Sequence, residues 1–120
     1  MCGISGFFGN KKLDRSKLIS TLNLMKYRGP DHQSYKEYEI KNKKLYILHS
    51  RLSIIDLEPR SNQPFESDGF AIVFNGEIYN HLDIKKNLIN KGVKFKTQSD
   101  TEVLLKSYIT YGTKCVEYFE

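Results

Sequence analysis

The opening Met1-Cys2-Gly3-Ile4-Ser5-Gly6 constrains this chain more than any other stretch, because it sets a thiol directly in front of an apolar, glycine-punctuated run. That run, residues 3–9, reads as a buried strand. A side chain as small as cysteine normally allows removal of the initiator methionine, which would leave Cys2 as the N-terminal residue. Thiol and free α-amine would then share one residue. The amine, with a reference pKa of about 8, can act as the general base of its own nucleophile. The plainer reading is that one of only two cysteines, Cys2 and Cys115, fell at position 2 by chance. Later motifs decide between the two.

Behind the opening, residues 14–26 carry Leu18, Ile19, Leu22 and Met25 at helical spacing, with Asp14 or Ser16 as the cap. Arg28-Gly29-Pro30-Asp31 breaks that helix, since proline cannot donate a hydrogen bond and biases its predecessor away from αR. Strands over 34–40 and 44–50 follow, joined by a polar turn at Asn42, and 51–57 continues as a short apolar strand or extended segment. Residues 58–69, with Pro59 and Pro64, read as loop, and 70–74 as a β-rich run ending at the turn signature Asn75-Gly76. Asn80 caps a helix to about Lys91, with Ile84, Leu88 and Ile89 inward and Gly92 as the stop. A short strand is expected over 93–95. Ser99-Asp100-Thr101-Glu102 matches a capping box, opening a helix through Val103, Leu104, Tyr108 and Tyr111 to Gly112. Runs of strands separated by helices, with a hairpin among them, predict an α+β fold. Residues 115–120 read as the start of a further element, which suggests a fragment.

At 120 residues the chain suffices for one small domain, and 39% hydrophobic residues with seven Phe and eight Tyr can fill a core. No apolar run approaches the ~20 residues of a membrane span, and the opening lacks the features of a signal peptide, so a cytoplasmic protein without a membrane partner is expected. Two cysteines make no disulfide framework, and no His or Cys spacing reads as a metal site; His32, His49 and His81 read as ordinary polar residues. The net charge of +5 raises nucleic acid as a partner. Its basic residues are scattered, however, and the densest group, Lys41, Lys43 and Lys44, lies at the expected turn. No aromatic residues interleave with it as a stacking platform requires, so no nucleic-acid partner is expected.

Acyl transfer from a Cys2 nucleophile needs oxyanion donors and groups that hold the substrate. Asn75-Gly76 supplies either a side-chain amide and a backbone N–H for an oxyanion, or simply a hairpin turn. Arg51 is either a two-pronged grip for a carboxylate or a surface arginine. Asp100 is a partner for an ammonium group, a helix cap, or both, and Glu77 is a second polar anchor or a solvated side chain.

Six ordered motifs carry a resemblance over essentially the whole chain. They are the Cys2 opening, Arg28-Gly29-Pro30-Asp31, Arg51-Leu52-Ser53-Ile54-Ile55-Asp56, Gln63-Pro64-Phe65, Asn75-Gly76-Glu77-Ile78-Tyr79-Asn80 and Ser99-Asp100-Thr101-Glu102. Together they resemble the class II glutamine amidotransferase domain of glutamine-hydrolysing asparagine synthetases, a family of N-terminal-nucleophile (Ntn) hydrolases. The resemblance implies an α+β, four-layer arrangement of helices around two antiparallel sheets, incomplete at the C-terminus. Residues 1–120 would be a partial amidotransferase domain, with the synthetase domain absent from this chain.

The same resemblance implies roles. Cys2 would attack the side-chain amide of L-glutamine, forming a thioester that water resolves to glutamate. Asn75 and Gly76 would form the oxyanion hole. Arg51 would hold the α-carboxylate, Glu77 and Asp100 the α-amine. Leu52 to Ile54 and the loop of Arg28, Gly29 and Asp31 would line the pocket. No metal or cofactor is implied in this domain; ATP and Mg2+ are expected in the synthetase domain, which would use the ammonia to make asparagine from aspartate. The resemblance also allows a homodimer in the full-length protein. Amidation of another acceptor, in surface-polysaccharide or secondary-metabolite synthesis, and a non-catalytic binding module of the same fold are the alternatives. Missing core strands would leave sheet edges and apolar faces uncovered, so the isolated fragment is expected to be marginally stable or prone to aggregate.

Overall fold

The computed structural model describes residues 1–120. Strands β1 (Gly3–Gly9), β2 (His32–Ile40) and β3 (Lys43–Arg51) form an antiparallel sheet in the order β1-β3-β2. The β2–β3 turn places Lys41 and Asn42 at φ 49° and 64°, the left-handed pair of a type I′ hairpin. Register sets Gly3 opposite Ser50 and His32 opposite Arg51, which brings the residue before β1 to the end of β3. Helix α1 (Arg15–Met25) lays Leu18 and Leu22 on Tyr46 and Leu48 of β3, and Phe7, Leu13, Met25 and Tyr35 close this first core.

Several expectations change here. β1 is an edge strand rather than a buried one: burial alternates along it, and Ile4 and Phe8 are about half exposed on the face away from α1. Asp14 occupies the N-cap of α1 but makes no side-chain capping bond, and Ile19 lies outside the buried face. Residues 52–57 form no strand, because β3 already has a neighbour on each side and ends at Arg51.

A 3₁₀ turn, Pro59–Ser61, and a cis Gln63–Pro64 bond lead into a two-stranded sheet of β4 (Phe65–Ser67) and β5 (Phe70–Ile72). The expected loop over 58–69 thus contains a strand, turned by Asp68 and Gly69 at φ 53° and 79°. Asn75-Gly76 turns no hairpin, because β5 stops at Ile72 and helix α2 (His81–Asn90) follows. Asn80 stands at the N-cap of α2 but spends its side-chain amide on the Tyr118 carbonyl and the Glu120 N–H. Ile89 is exposed, whereas Ile84 and Leu88 are buried as expected, and Gly92 at φ 88° follows the helix end.

No strand forms over 93–95; Val93 and Phe95 pack instead against a second core of Ile78, Ile84, Leu88 and Val103. Helix α3 (Asp100–Tyr111) begins with Ser99 Oγ accepting the Thr101 N–H. The reciprocal half of the capping box is absent. Glu102, fully buried, accepts the N–H groups of Lys96 and Thr97 and the Thr97 hydroxyl instead. Gly112, at φ 63°, passes the chain to a 3₁₀ segment, Gly112–Tyr118. The fold is α+β with two antiparallel sheets and three α-helices, as an Ntn-hydrolase-like domain has. None of the helices is long and apolar enough to cross a membrane.

Candidate active site

Where the first sheet meets the second core there is a cavity of about 290 Å³, at the small end of the ~300–1,000 Å³ usual for ligand pockets. Cys2 reaches it from the start of β1 and Arg51 from the end of β3. Leu52 and Ile54 come from the segment after β3, Asn75, Gly76 and Glu77 from the link into α2, and Asp100 from the first turn of α3. Met1 lines it as well, while remaining 75% exposed.

Cys2 is held from both sides. The Leu52 N–H donates to Sγ at 3.4 Å, and Sγ lies 3.7 Å from the Leu52 carbonyl. Arg28 Nε donates to the Cys2 carbonyl at 3.1 Å. The turn that carries Arg28 is itself pinned to the same place: Asp31 N–H donates to the Arg51 carbonyl at 3.0 Å, and Asp31 Oδ2 accepts the Ser53 N–H at 2.7 Å. Gly29 packs so closely on the Ser50 and Arg51 backbone that a β-carbon would overlap it. Arg28, Gly29 and Asp31 therefore do not line the cavity, as the sequence suggested, but stand behind its wall and hold Cys2 and Leu52–Ser53 in place.

Arg51 also departs from expectation. Nη1 donates to the Glu58 carbonyl at 3.2 Å and to Asn62 Oδ1 at 2.7 Å; Nη2 donates to the Ile55 carbonyl at 3.3 Å and to the Asp56 carbonyl. All four terminal N–H groups are thus taken by the protein's own loop. A two-pronged grip on a carboxylate is not available in this geometry, although the charge stands at the cavity wall.

In the link into α2 the donors are free. Neither the Asn75 side-chain amide nor the Gly76 N–H makes a hydrogen bond within the protein. Asp100, buried, accepts the Ile78 N–H on Oδ2 at 3.2 Å, which ties α3 to the Asn75–Asn80 segment. Ser99 rather than Asp100 caps the helix, which leaves Asp100 as an acid facing the cavity. Glu77 is exposed beside it.

Three further residues shape the site without having been singled out by role in the sequence. His49, fully buried on β3, places Nε2 3.2 Å from the Phe74 carbonyl, and burial, with lesser effects from the Arg51 and His32 charges, holds its pKa down to about 4. Gln63 bonds both Phe74 and Thr101. Asp56, at φ 49°, accepts the Gln98 N–H at 2.7 Å and the Glu58 N–H at 3.3 Å. Burial alone would raise the Asp56 pKa. Those N–H groups, the Ser61 hydroxyl close by and the Arg60 charge outweigh it and hold the carboxyl at about 2. Asp56 and Gln63 fall inside quoted motifs. His49 carried no local signal beyond its place two residues before Arg51.

The family described as "Glutamine amidotransferase domain" matches residues 1–120. The chain is 41% identical over 118 residues to asparagine synthetase [glutamine-hydrolyzing] 1 of Bacillus subtilis, covering 92% of this chain and 18% of the relative. It is 34% identical to asparagine synthetase [glutamine-hydrolyzing] 3 of the same organism, covering 98% and 20%. It is 35% identical to amidase chry2 of Gibberella zeae, covering 98% and 19%. The chain spans about a fifth of the length of these relatives. With the match running from the first residue to the last, the chain belongs to the glutamine amidotransferase domain family.

Proposed function

We propose that this domain hydrolyses the side-chain amide of L-glutamine, with Cys2 as nucleophile once Met1 is removed. The observation that carries the reading is the convergence on one cavity of Cys2, two free oxyanion donors, a cation and two acids, drawn from four separate stretches of chain. Sγ attacks the amide carbon of glutamine, and the thiol proton passes through the Cys2 α-amine to the departing nitrogen. Ammonia leaves, and a γ-glutamyl thioester remains. Water then adds to the thioester carbon, and glutamate departs as Sγ regains its proton. At both steps the Asn75 amide and Gly76 N–H carry the charge that develops on the carbonyl oxygen. Asp100 and Glu77 receive the α-ammonium group. Arg51 acts on the α-carboxylate through its charge and its remaining Nε–H rather than through a fork, and Ile54 closes the cavity beside it.

The wider reaction rests on the relatives' names. Two are glutamine-hydrolysing asparagine synthetases. On that ground the ammonia is proposed to serve ATP-dependent asparagine synthesis from aspartate, with ATP and Mg2+ bound outside this chain and the protein at work in the cytoplasm. A relative named amidase chry2 is similar over the same domain, so the choice of acceptor belongs to the remainder of each protein. The test is ammonia release from glutamine by the full-length protein, paired with mass mapping of a glutamine-like electrophile. Labelling is expected on a processed Cys2 and is lost on competition with glutamine. A folded, processed protein that neither labels nor releases ammonia would be a non-catalytic module of this fold.

A further inference from the structure

Phe74 belongs to no sheet ladder, since β5 ends at Ile72, yet both of its main-chain polar groups are taken by side chains from elsewhere. Its N–H donates to Gln63 Oε1 at 2.5 Å, and its carbonyl lies 3.2 Å from His49 Nε2. A carbonyl can only accept, so Nε2 carries the imidazole proton. His49 Nδ1 is then a buried acceptor with no partner among the protein's own groups. An apolar ring of similar size would not incur that desolvation cost, so packing alone does not account for a histidine here. What it gains is the hold on Phe74.

That hold acts one residue before the oxyanion donors. The Phe74 ring lies against Gly76, where an added β-carbon would stand 2.8–2.9 Å from ring atoms. Main chain and ring of Phe74 together therefore fix where Asn75 and Gly76 sit. Gln63 extends the arrangement: its Nε2 donates to Thr101 Oγ1 at 3.0 Å, next to Asp100, so one side chain ties the donor wall to the ammonium wall. Its own carbonyl accepts the Ser34 hydroxyl, which anchors it to β2.

We propose that His49 and Gln63 are positioning residues that clamp the Phe74 main chain and thereby aim the Asn75 amide and the Gly76 N–H at the developing oxyanion. The role rests on the glutaminase reading above. It separates two chemistries at Cys2: attack on an amide, which creates an oxyanion, and displacement on an alkyl halide, which does not.

The test uses the processed full-length protein, with His49→Phe and Gln63→Met as disrupting variants and His49→Gln as the conservative one. A misplacement of about 1 Å typically costs about 10²-fold in rate, so kcat for glutamine is expected to fall about 10²-fold in the two disrupting variants. KM and the rate of Cys2 alkylation by iodoacetamide are expected to stay within about threefold of the parent, as follows when only transition-state stabilisation is lost. His49→Gln, whose amide nitrogen can reach the Nε2 position, is expected to recover about tenfold or more of the loss. Unchanged kcat, a parallel fall in alkylation, or a rise in KM at constant kcat overturns the clamp. So does loss of folding in both disrupting variants, which would make the pair a structural element only. A parent that alkylates but releases no ammonia sinks the glutaminase reading and the clamp with it; an active parent with unaffected variants sinks the clamp alone.

Discussion

At the scale of single residues, the site divides into groups that face the cavity and groups that hold those in place. Asn75→Ala removes one of two oxyanion donors. It is expected to lower kcat for glutamine by about 10²–10³ with KM little changed, measured as ammonia release; equal losses in kcat and binding would move Asn75 out of that role. Gly29→Ala tests a holding residue, since its β-carbon would press on backbone at Ser50 and Arg51 rather than on a side chain that can turn away. A loss of about 3 kcal/mol in urea denaturation is expected, at the upper end for overpacking. Cys2, Arg51, Asn75 and Asp100 were legible in the sequence as cavity-facing residues because each has a type dictated by chemistry: a thiol, a guanidinium, an amide beside a glycine, an acid. What Arg51 bonds to was not legible, because three of its four partners are main-chain carbonyls at residues 55, 56 and 58, and a carbonyl has the same wording at every position.

At the scale of elements, α3 shows why a motif can be read correctly and still mislead. Ser99 caps the helix as the wording Ser-x-x-Glu promises, but Glu102 turns to the segment before the cap and gathers Lys96 and Thr97. It is a buried acceptor pair satisfied by the N–H and O–H donors of the segment before the helix. Glu102→Gln keeps the shape but offers a second N–H where a donor already points. A loss of about 2–3 kcal/mol in denaturant unfolding is expected, against little change for Glu117→Gln on the exposed surface. The β4–β5 hairpin is hidden in the sequence although Asp68-Gly69 is a hairpin signature, because two prolines nearby favour loop and strands of three residues leave no period to see. The expected strand over 93–95 failed for the opposite reason: its apolar residues meet a helical core, and no strand lies alongside.

At the scale of the whole molecule, two cores flank the site, and polar contacts link the elements around it: His49 to Phe74, Gln63 to Thr101, Asp56 to Gln98. Two of these groups make the stability depend on acidity. The fold favours neutral His49, whose pKa falls from 6.5 to about 4, chiefly through burial. Its contribution is therefore whole above pH 6.5 and is lost as pH falls toward 4, by about 2 kcal/mol after allowing for screening. The fold favours ionised Asp56, whose pKa falls from 3.8 to about 2, so that contribution holds above pH 3.8 and is lost as pH falls toward 2. Urea midpoints are expected to drop in two stages on acidification, and His49→Phe to flatten the first; a single stage below pH 4 in both proteins would contradict this. None of these linking contacts was visible in the sequence, since each joins residues 25 to 42 positions apart.

The double hold on Cys2 also has a consequence in time. With its sulfur against Leu52, its carbonyl on Arg28 and Gly3 paired to Ser50, the start of the chain is fastened down even though Met1 itself projects into solvent. An aminopeptidase must draw those first residues into its own cleft. It has free access only until β3 has left the ribosome and paired with β1, because that pairing holds Gly3 against Ser50. The fold thus sets a deadline for its own maturation. Unprocessed protein, once folded, is expected to be trimmed far more slowly than the same chain in urea or as a peptide of its first residues, as N-terminal mass would report; equal rates would mean that the strand peels away freely.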